Sequence, residues 1–319
     1  MNLQYRFDFK GFIRSGKGHK INIGVISGGS SEERLVSIKT GEAILDACMQ
    51  LGHKTSQYII NQNSIIDIQN ELRNQDFIFI ALHGSFGEDG AIQSILSEMN
   101  IPFNGSNEKS SKICFDKAKT KKIVMGEGID SPKYYHTLSN SCNNHFDFSA
   151  EKYVVKPNAQ GSSVGFNIVD DVSKINDAID MALDFDSSVL IEEFINGREI
   201  TVSVLGEEPL PVIEIKPKSG VYDYNSKYVA GEAEYICPAE MNSVKYHYVQ
   251  DCALKIHKML SCDVYSRVDF KFFNNKFYFL EINTLPGMTK TSLFPKAAKQ
   301  YGFSFKKLID KIIKLSLEK

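Results

Sequence analysis

Three observations predict a mixed fold, α/β in its first third and α+β beyond it. In the first hundred residues short apolar strands alternate with amphipathic helices, the pattern of a small parallel sheet. From Glu199 to about Met241 strands dominate instead. A long aromatic hairpin then occupies 266–283. The 319 residues suffice for two or three domains at about 100–200 residues each.

Ordered structure is expected from Ile21. Ile21–Ser27 is an apolar strand that runs into Gly28-Gly29-Ser30-Ser31, and Leu35, Ile38, Ile44, Leu45, Cys48 and Leu51 follow at helical spacing until Gly52 stops them. Phe77–Leu82 reads as a second buried strand, followed by the loop 83–90 and a helix with Ile92, Ile95, Leu96 and Met99 on one face. Lys117–Glu127 is a lysine-rich helix. Past Pro132 come strands at 153–156, 166–169 and 189–194. A helix at roughly 248–260, the hairpin, and a last helix from Ser304 with Leu308, Ile309, Ile312 and Ile313 on its buried stripe complete the chain. Residues 1–20 carry five basic residues without an apolar core, so they read as a loosely ordered extension and not a secretory signal.

Composition excludes several classes. A net charge of −2 supplies no overall field for a nucleic-acid backbone or an anionic membrane. No apolar run approaches the ~20 residues of a membrane span. Six scattered cysteines without a Cys-x-x-Cys pair read as reduced core residues of a cytoplasmic protein.

The hairpin carries the sharpest chemistry. Strand side chains alternate, so Arg267, Asp269 and Lys271 share a face of their strand, as Glu281 and Asn283 do of theirs, and the turn decides whether the two sets meet. A two-residue turn at Asn274-Asn275 would pair Asp269 with Leu280. A three-residue turn, Asn274-Asn275-Lys276, pairs Asp269 with Glu281 and Arg267 with Asn283, and leaves Val268, Phe270, Phe272, Leu280 and Ile282 on an apolar face. The second register is expected. Two carboxylates and an amide oxygen then converge in a set that suits Mg²⁺, although a cross-strand acid pair relieved by Arg267 and Lys271 would look the same.

Other segments are weaker alone. The loop 157–165, with Gly161-Ser162-Ser163 between two strands, could close backbone N–H groups on phosphate, or be a plain hairpin turn. Lys117 and Lys156 beside it, with Glu192, Glu193 and Glu199 for amino and ribose hydroxyl groups, tilt it toward a nucleotide. Gly24–Gly29 lacks the Gly-x-Gly-x-x-Gly spacing of a dinucleotide site. Ser30-x-x-Glu33 reads as a capping box, and His83 as a structural histidine, although its loop lies where open α/β sheets bind ligands. Thr284–Leu293 is a proline–glycine loop whose hydroxyls, Ser292 among them, follow directly on the metal face.

Together these segments resemble the D-alanine–D-alanine ligases of the ATP-grasp superfamily. The likeness runs from about Ile21 to the C-terminal helix through GGSSEERLVS, ALHGSFGEDGAIQ, FDKAKTK, VVKPNAQGSSVG, LIEEFINGRE, YDYNSKY, AEYICPAEM, RVDF and LEINTLPGMTKTSLFPKAA. The resemblance implies a three-domain ATP-grasp architecture: a substrate-binding α/β domain at 21–107, a central domain with the phosphate loop at 108–200, and a C-terminal domain with metal hairpin and lid at 201–319. It implies ATP and two Mg²⁺ ions, with Mn²⁺ able to substitute, two molecules of D-alanine, and a homodimer. By the same resemblance Lys117, Lys156 and Ser162 hold ATP phosphates, Glu192, Glu193 and Ile195 the adenine side, and Glu199 the ribose. Asp269, Glu281 and Asn283 hold the metals, with Glu281 bridging. Glu33 receives the ammonium of the first D-alanine, Ser292 and Leu293 the carboxylate of the second, and His83 lies near the reacting carboxyl group. Arg267 stabilises the oxyanion. Lys227 and Tyr228 belong to the lid, Tyr228 linking to Glu33 and Ser162, and this pair favours an amine as second substrate. Two departures stand out: Val221 where many relatives have an aromatic residue beside adenine, and Gln160 for a common acid in the phosphate loop.

Overall fold

The computed structural model describes residues 20–138, 147–223, 226–227, 229 and 231–319. The expected extension (but for Lys20), Cys142 and Tyr228 therefore lie outside the described residues. Strands β1 (Asn22–Gly28), β2 (Lys54–Ile60) and β3 (Phe77–Ile80) form a parallel sheet in the order β2-β1-β3. Helix α1 (Arg34–Gln50) crosses from β1 to β2 and stops at Gly52, whose φ of +87° only glycine takes easily. Strand β2 was not expected from sequence. It lies at the sheet edge and opens with Lys54, Thr55, Ser56 and Gln57, so it shows no apolar run.

Helices α2 (Gln69–Leu72) and α3 (Ala91–Glu98) complete this layer. Helices α4 (Glu108–Phe115) and α5 (Lys117–Gly126) then lead out of it, Asp116 capping α5 by accepting a hydrogen bond from the Lys119 N–H. An antiparallel sheet follows, built from β4 (Tyr134–Thr137), β5 (Tyr153–Pro157), β6 (Asn167–Val169) and β7 (Val189–Glu193) in the order β4-β7-β5-β6, with α6 (Ile175–Leu183) packed on it.

The third sheet is also antiparallel. It comprises β8 (Arg198–Leu205), β9 (Glu208–Pro209), β10 (Ile213–Pro217), β11 (Ala233–Ile236), β12 (Tyr265–Phe273) and β13 (Lys276–Asn283), with α7 (Ser243–Met259) against β8 and β12. Helix α7 begins before the expected 248, because its first turn exposes Val244 and so carries no apolar signal. Helices α8 (Leu293–Tyr301) and α9 (Phe305–Glu318) return to the first sheet, where Leu308, Ile309, Ile312 and Ile313 share a core with Ile23, Val25 and Phe77.

The hairpin corrects one expectation and keeps its consequence. The turn has two residues: Phe273 pairs with Lys276, and Asn274 and Asn275 both adopt positive φ (47° and 62°), as a type I′ turn requires. A β-bulge beside Asp269 and Phe270 then shifts the register by one, so Asp269 still faces Glu281 and Arg267 still faces Asn283. Leu280, expected on the apolar face, is the extra residue and lines the cleft next to Glu281, while Phe277, Phe279 and Ile282 fill the core.

His257 on α7 is buried, with Nδ1 2.7 Å from Ser266 Oγ on β12. Burial lowers its pKa from 6.5 to about 4. The unfolded chain therefore binds a proton that the folded chain refuses, so this contribution to stability is full above pH 6.5 and is lost as pH falls toward 4. On this basis urea unfolding should show a loss on the order of 2–3 kcal/mol between pH 7 and 4.5 that His257→Gln removes. Equal losses in both proteins would show that this histidine is not the source.

Candidate active site

The three sheets enclose one cleft formed of two connected cavities of about 100 and 380 Å³. Lys117, Gln160, Gly161, Tyr222, Lys227 and Glu281 line both, so Lys117 and Glu281 stand at their junction, 3.4 Å apart. The smaller cavity is walled by lysines and by Val154, Phe194, Ile195, Val221 and Leu280. The larger adds Glu33, His83, Arg267, Asn283 and Ser292. Every expected site residue except Tyr228, which lies outside the described residues, lines one cavity or the other.

The loop 157–165 is more than a plain turn. Ser162 and Ser163 are consecutive non-glycine residues at φ 52° and 58°, a costly conformation that functional sites retain. Ser162 Oγ donates to a Glu33 carboxylate oxygen, joining residues 129 apart in sequence. A Cβ added at Gly161 would sit 2.5 Å from Glu33 Oε2, so any larger residue would push the Glu33 carboxylate from its present place. The expected capping box does not form: α1 begins at Arg34, and Glu33 at its N-cap makes no side-chain capping bond. The Glu33 side chain turns into the cleft instead. Ser31, not Ser30, makes the local contact here, its hydroxyl donating to the His83 carbonyl at 2.8 Å.

Charge alternates along the floor. Lys117 Nζ donates to the Gln160 carbonyl at 2.6 Å. Lys156 Nζ lies 2.9 Å from Glu192 Oε2, and Lys271 Nζ 2.6 Å from Glu199. Glu193 Oε1 accepts from the Lys133 N–H at 3.0 Å. Burial would raise the Glu281 pKa, but Lys117, Lys227, Lys156 and Arg267 outweigh it and hold it at about 2. Glu281 is thus a carboxylate at any physiological pH. Arg267 grips Asp269 through Nε (3.0 Å) and Nη2 (2.8 Å), while Thr201 Oγ1 donates to Asp269 Oδ1 at 2.5 Å. Asn283 Oδ1 accepts from the Leu285 N–H at 2.8 Å. Among the described residues no three His, Cys, Asp or Glu gather as a metal cluster. The oxygen set on this face is therefore two carboxylates and an amide, which fits a hard cation that keeps part of its shell for water or phosphate.

At the far end His83 is buried, with Nδ1 3.5 Å from Glu88 Oε1 and Nε2 3.2 Å from Thr40 Oγ1. Burial would lower its pKa, but the Glu88 hydrogen bond and the charges of Glu33 and Glu88 raise it instead. Burial and the Glu33 charge raise that of Glu88. Ser292 occupies the N-cap position of α8 without a side-chain capping bond, and its Oγ instead accepts from the Thr289 N–H of the preceding loop at 3.0 Å.

Sequence reasoning missed three participants. Tyr222 stands beside Val221 and supplies an aromatic wall to both cavities, with Lys227 Nζ 5.3 Å from its ring. Leu280 is brought in by the bulge, which only pairing reveals. Glu88 had a signal, an acid in a glycine-rich loop at a strand end. Arg267 depends on Asp269 even without a ligand, so Asp269→Asn should lower the unfolding free energy by about 3 kcal/mol at pH 7, the scale of stranding a buried charge. An unchanged denaturation midpoint would show that the pair contributes nothing to the fold.

Known proteins place this cleft in context. The family model described as D-ala D-ala ligase C-terminus matches residues 131–314, and that described as D-ala D-ala ligase N-terminus matches 53–106. A D-alanine–D-alanine ligase of Methylacidiphilum infernorum is 42% identical over 300 residues, covering 92% of this chain and 95% of the relative. That of Carboxydothermus hydrogenoformans is 42% identical over 310 residues, covering 93% and 99%. The crystal structure of the Bacillus anthracis D-alanine–D-alanine ligase complexed with ATP superposes with a TM-score of 0.80 at 35% identity, covering 93% of this chain and 98% of that one. The VanG D-Ala:D-Ser ligase from Enterococcus faecalis gives 0.79 at 28% identity, covering 93% and 100%.

Proposed function

We propose that this chain, which belongs to the D-alanine–D-alanine ligase family, joins two D-alanines with ATP, releasing ADP and phosphate, for peptidoglycan precursor synthesis. The observation that carries the reading is the junction of the two cavities. A lysine-lined cavity suited to a nucleotide and a polar cavity suited to small zwitterions meet at Lys117 and Glu281.

A carboxylate is a poor acyl donor, so the γ-phosphoryl group is first transferred to the carboxylate of the first D-alanine, giving an acylphosphate. Lys117 and Lys156 offset the repulsion between that carboxylate and the triphosphate. Glu193 and Ile195 receive the adenine, with Tyr222 as the aromatic wall that Val221 does not provide, and Glu192 beneath them holds Lys156. Glu199 takes the ribose hydroxyls. Glu33, braced by Ser162, receives the ammonium of the first D-alanine and so aims its carboxylate at the junction. The amino group of the second D-alanine, held by Ser292 and the Leu293 N–H, attacks the acyl carbon. Arg267 and a backbone N–H near Gly287 face the oxyanion that develops, while His83 beside the reacting carboxyl group adds a raised-pKa donor. Phosphate then leaves as the dipeptide forms.

Asp269, Glu281 and Asn283 would hold two Mg²⁺ ions, with Mn²⁺ able to serve the same oxygens, and these would supply charge neutralisation and polarisation of the phosphoryl group. Water would hydrolyse the acylphosphate, so a lid is required; the resemblance assigns that task to the segment 222–234, Tyr228 included, and Lys227 lines both cavities. A homodimer follows from the resemblance. A cytoplasmic location fits the chemistry, and among the described residues no helix is long and apolar enough to cross a membrane.

Phosphate release with D-alanine and Mg-ATP tests the reading. Glu281→Gln should lower the rate by more than about 100-fold, beyond the 10–100-fold common for an outer-shell loss. Full activity in that variant would overturn the metal assignment. The likeness to a D-Ala:D-Ser ligase motivates a second arm in which D-serine or D-lactate competes with D-alanine and the products are identified by mass. D-alanyl-D-alanine should predominate, and a predominant mixed product would overturn the assignment of the second substrate.

A further inference from the structure

Lys121 on α5 lies beneath the floor of the cleft and lines neither cavity. It is wholly buried, and burial lowers its pKa to about 8 even with Glu192 beside it. Its Nζ reaches three separate elements: Glu192 Oε1 on β7 at 2.9 Å, Ser131 Oγ at 3.0 Å, and the Phe279 carbonyl on β13 at 3.2 Å. Replacing a buried ion pair by apolar side chains of similar volume is often neutral or stabilising. Stability alone therefore gives a poor account of an ammonium here.

The surroundings point to a task in the nucleotide half of the cleft. Glu192 is shared: one oxygen faces Lys121, and the other faces Lys156 at 2.9 Å. With Lys121 neutralising Glu192 from below, the charge of Lys156 remains uncompensated toward the cleft. Without it, Lys156 and Glu192 would close into a neutral pair and draw the lysine down. The same ammonium braces the Phe279 carbonyl, one residue before the bulged Leu280 and two before Glu281. It also sits one helical turn after Lys117, on the same face of α5.

We infer that Lys121 is a positioning residue of the nucleotide site: it neutralises Glu192 so that Lys156 presents its charge to phosphate, and it ties β7 and β13 to the helix that carries Lys117. The inference rests on the reading that the lysine-lined cavity takes a nucleoside triphosphate.

The test measures binding of a non-hydrolysable ATP analogue with Mg²⁺, together with KM for ATP and for D-alanine, in the full chain. Lys121→Met should weaken analogue binding and raise KM for ATP roughly tenfold, the scale of one charge-assisted interaction. KM for D-alanine should stay within about twofold, and Lys121→Arg should recover most of the affinity. Adding Glu192→Gln to Lys121→Met removes the competitor for Lys156, so the double variant should bind better than Lys121→Met alone, a non-additivity that mere loosening of the fold would not produce. Should Lys121→Met fail to fold, Lys121→Gln keeps the hydrogen bonds to Ser131 and Phe279 without the charge and should show the same loss. Unchanged analogue affinity in the uncharged variants, additive effects in the double variant, or a parallel rise in KM for D-alanine would overturn the inference. A wild-type chain that does not bind the analogue would overturn the nucleotide reading, and this inference with it.

Discussion

The pairing of Asp269 with Glu281 across the hairpin governs the cleft. Both residues face the same side only because a bulge inserts Leu280 after a two-residue turn. A slip by one residue would send every side chain of β13 to the opposite face. Glu281 would enter the core of Phe270, Phe277 and Phe279, and a core phenylalanine would enter the cleft. Those aromatic rings penalise the wrong register, so the apolar side of the ribbon holds the carboxylates in place on the other. The bulge also places an apolar side chain, Leu280, beside a carboxylate in the wall of the smaller cavity.

Around that ribbon the protein interleaves positive and negative side chains. Lys117, Lys121, Lys156, Lys227 and Arg267 face Glu192, Asp269 and Glu281 in a partly desolvated space. Neighbouring cations hold Glu192 and Glu281 ionised, and Arg267 pairs with Asp269 at 2.8 Å. At the opposite end Glu33 and the Glu88–His83 pair line the larger cavity.

The last helices show why distant parts of the chain must cooperate. Helix α9 packs on α1 and shares a core with the first sheet, and α8, just before it, carries Ser292 at its N-terminal end. The loop that closes one side of the larger cavity is therefore anchored to the core that positions Glu33 and His83. Glu33 in turn reaches Ser162 in the phosphate loop, so all three layers meet in contacts around a single cavity.

The alternation of short apolar strands with helices, the stripe of Leu308, Ile309, Ile312 and Ile313, and the two-faced hairpin were legible in the sequence, because periodicity reports which face of an element is buried. The oxygen donors and the lysines were legible as residue types. The edge strand β2 was not, since its opening residues are polar, and neither were the turn and bulge, which compensate one another and leave the same pairing. Glu33 shows the limit most clearly. Its local spacing satisfied a capping motif with Ser30 as the cap, but the helix starts three residues later, at Arg34, and the carboxylate goes to a serine 129 positions away. Local sequence determines which segments form strands and helices, because that choice depends on neighbours a few residues apart. Only the tertiary fold decides which charges meet, because Coulomb and hydrogen-bond partners are selected by distance in space, and burial in the assembled cleft sets their strength.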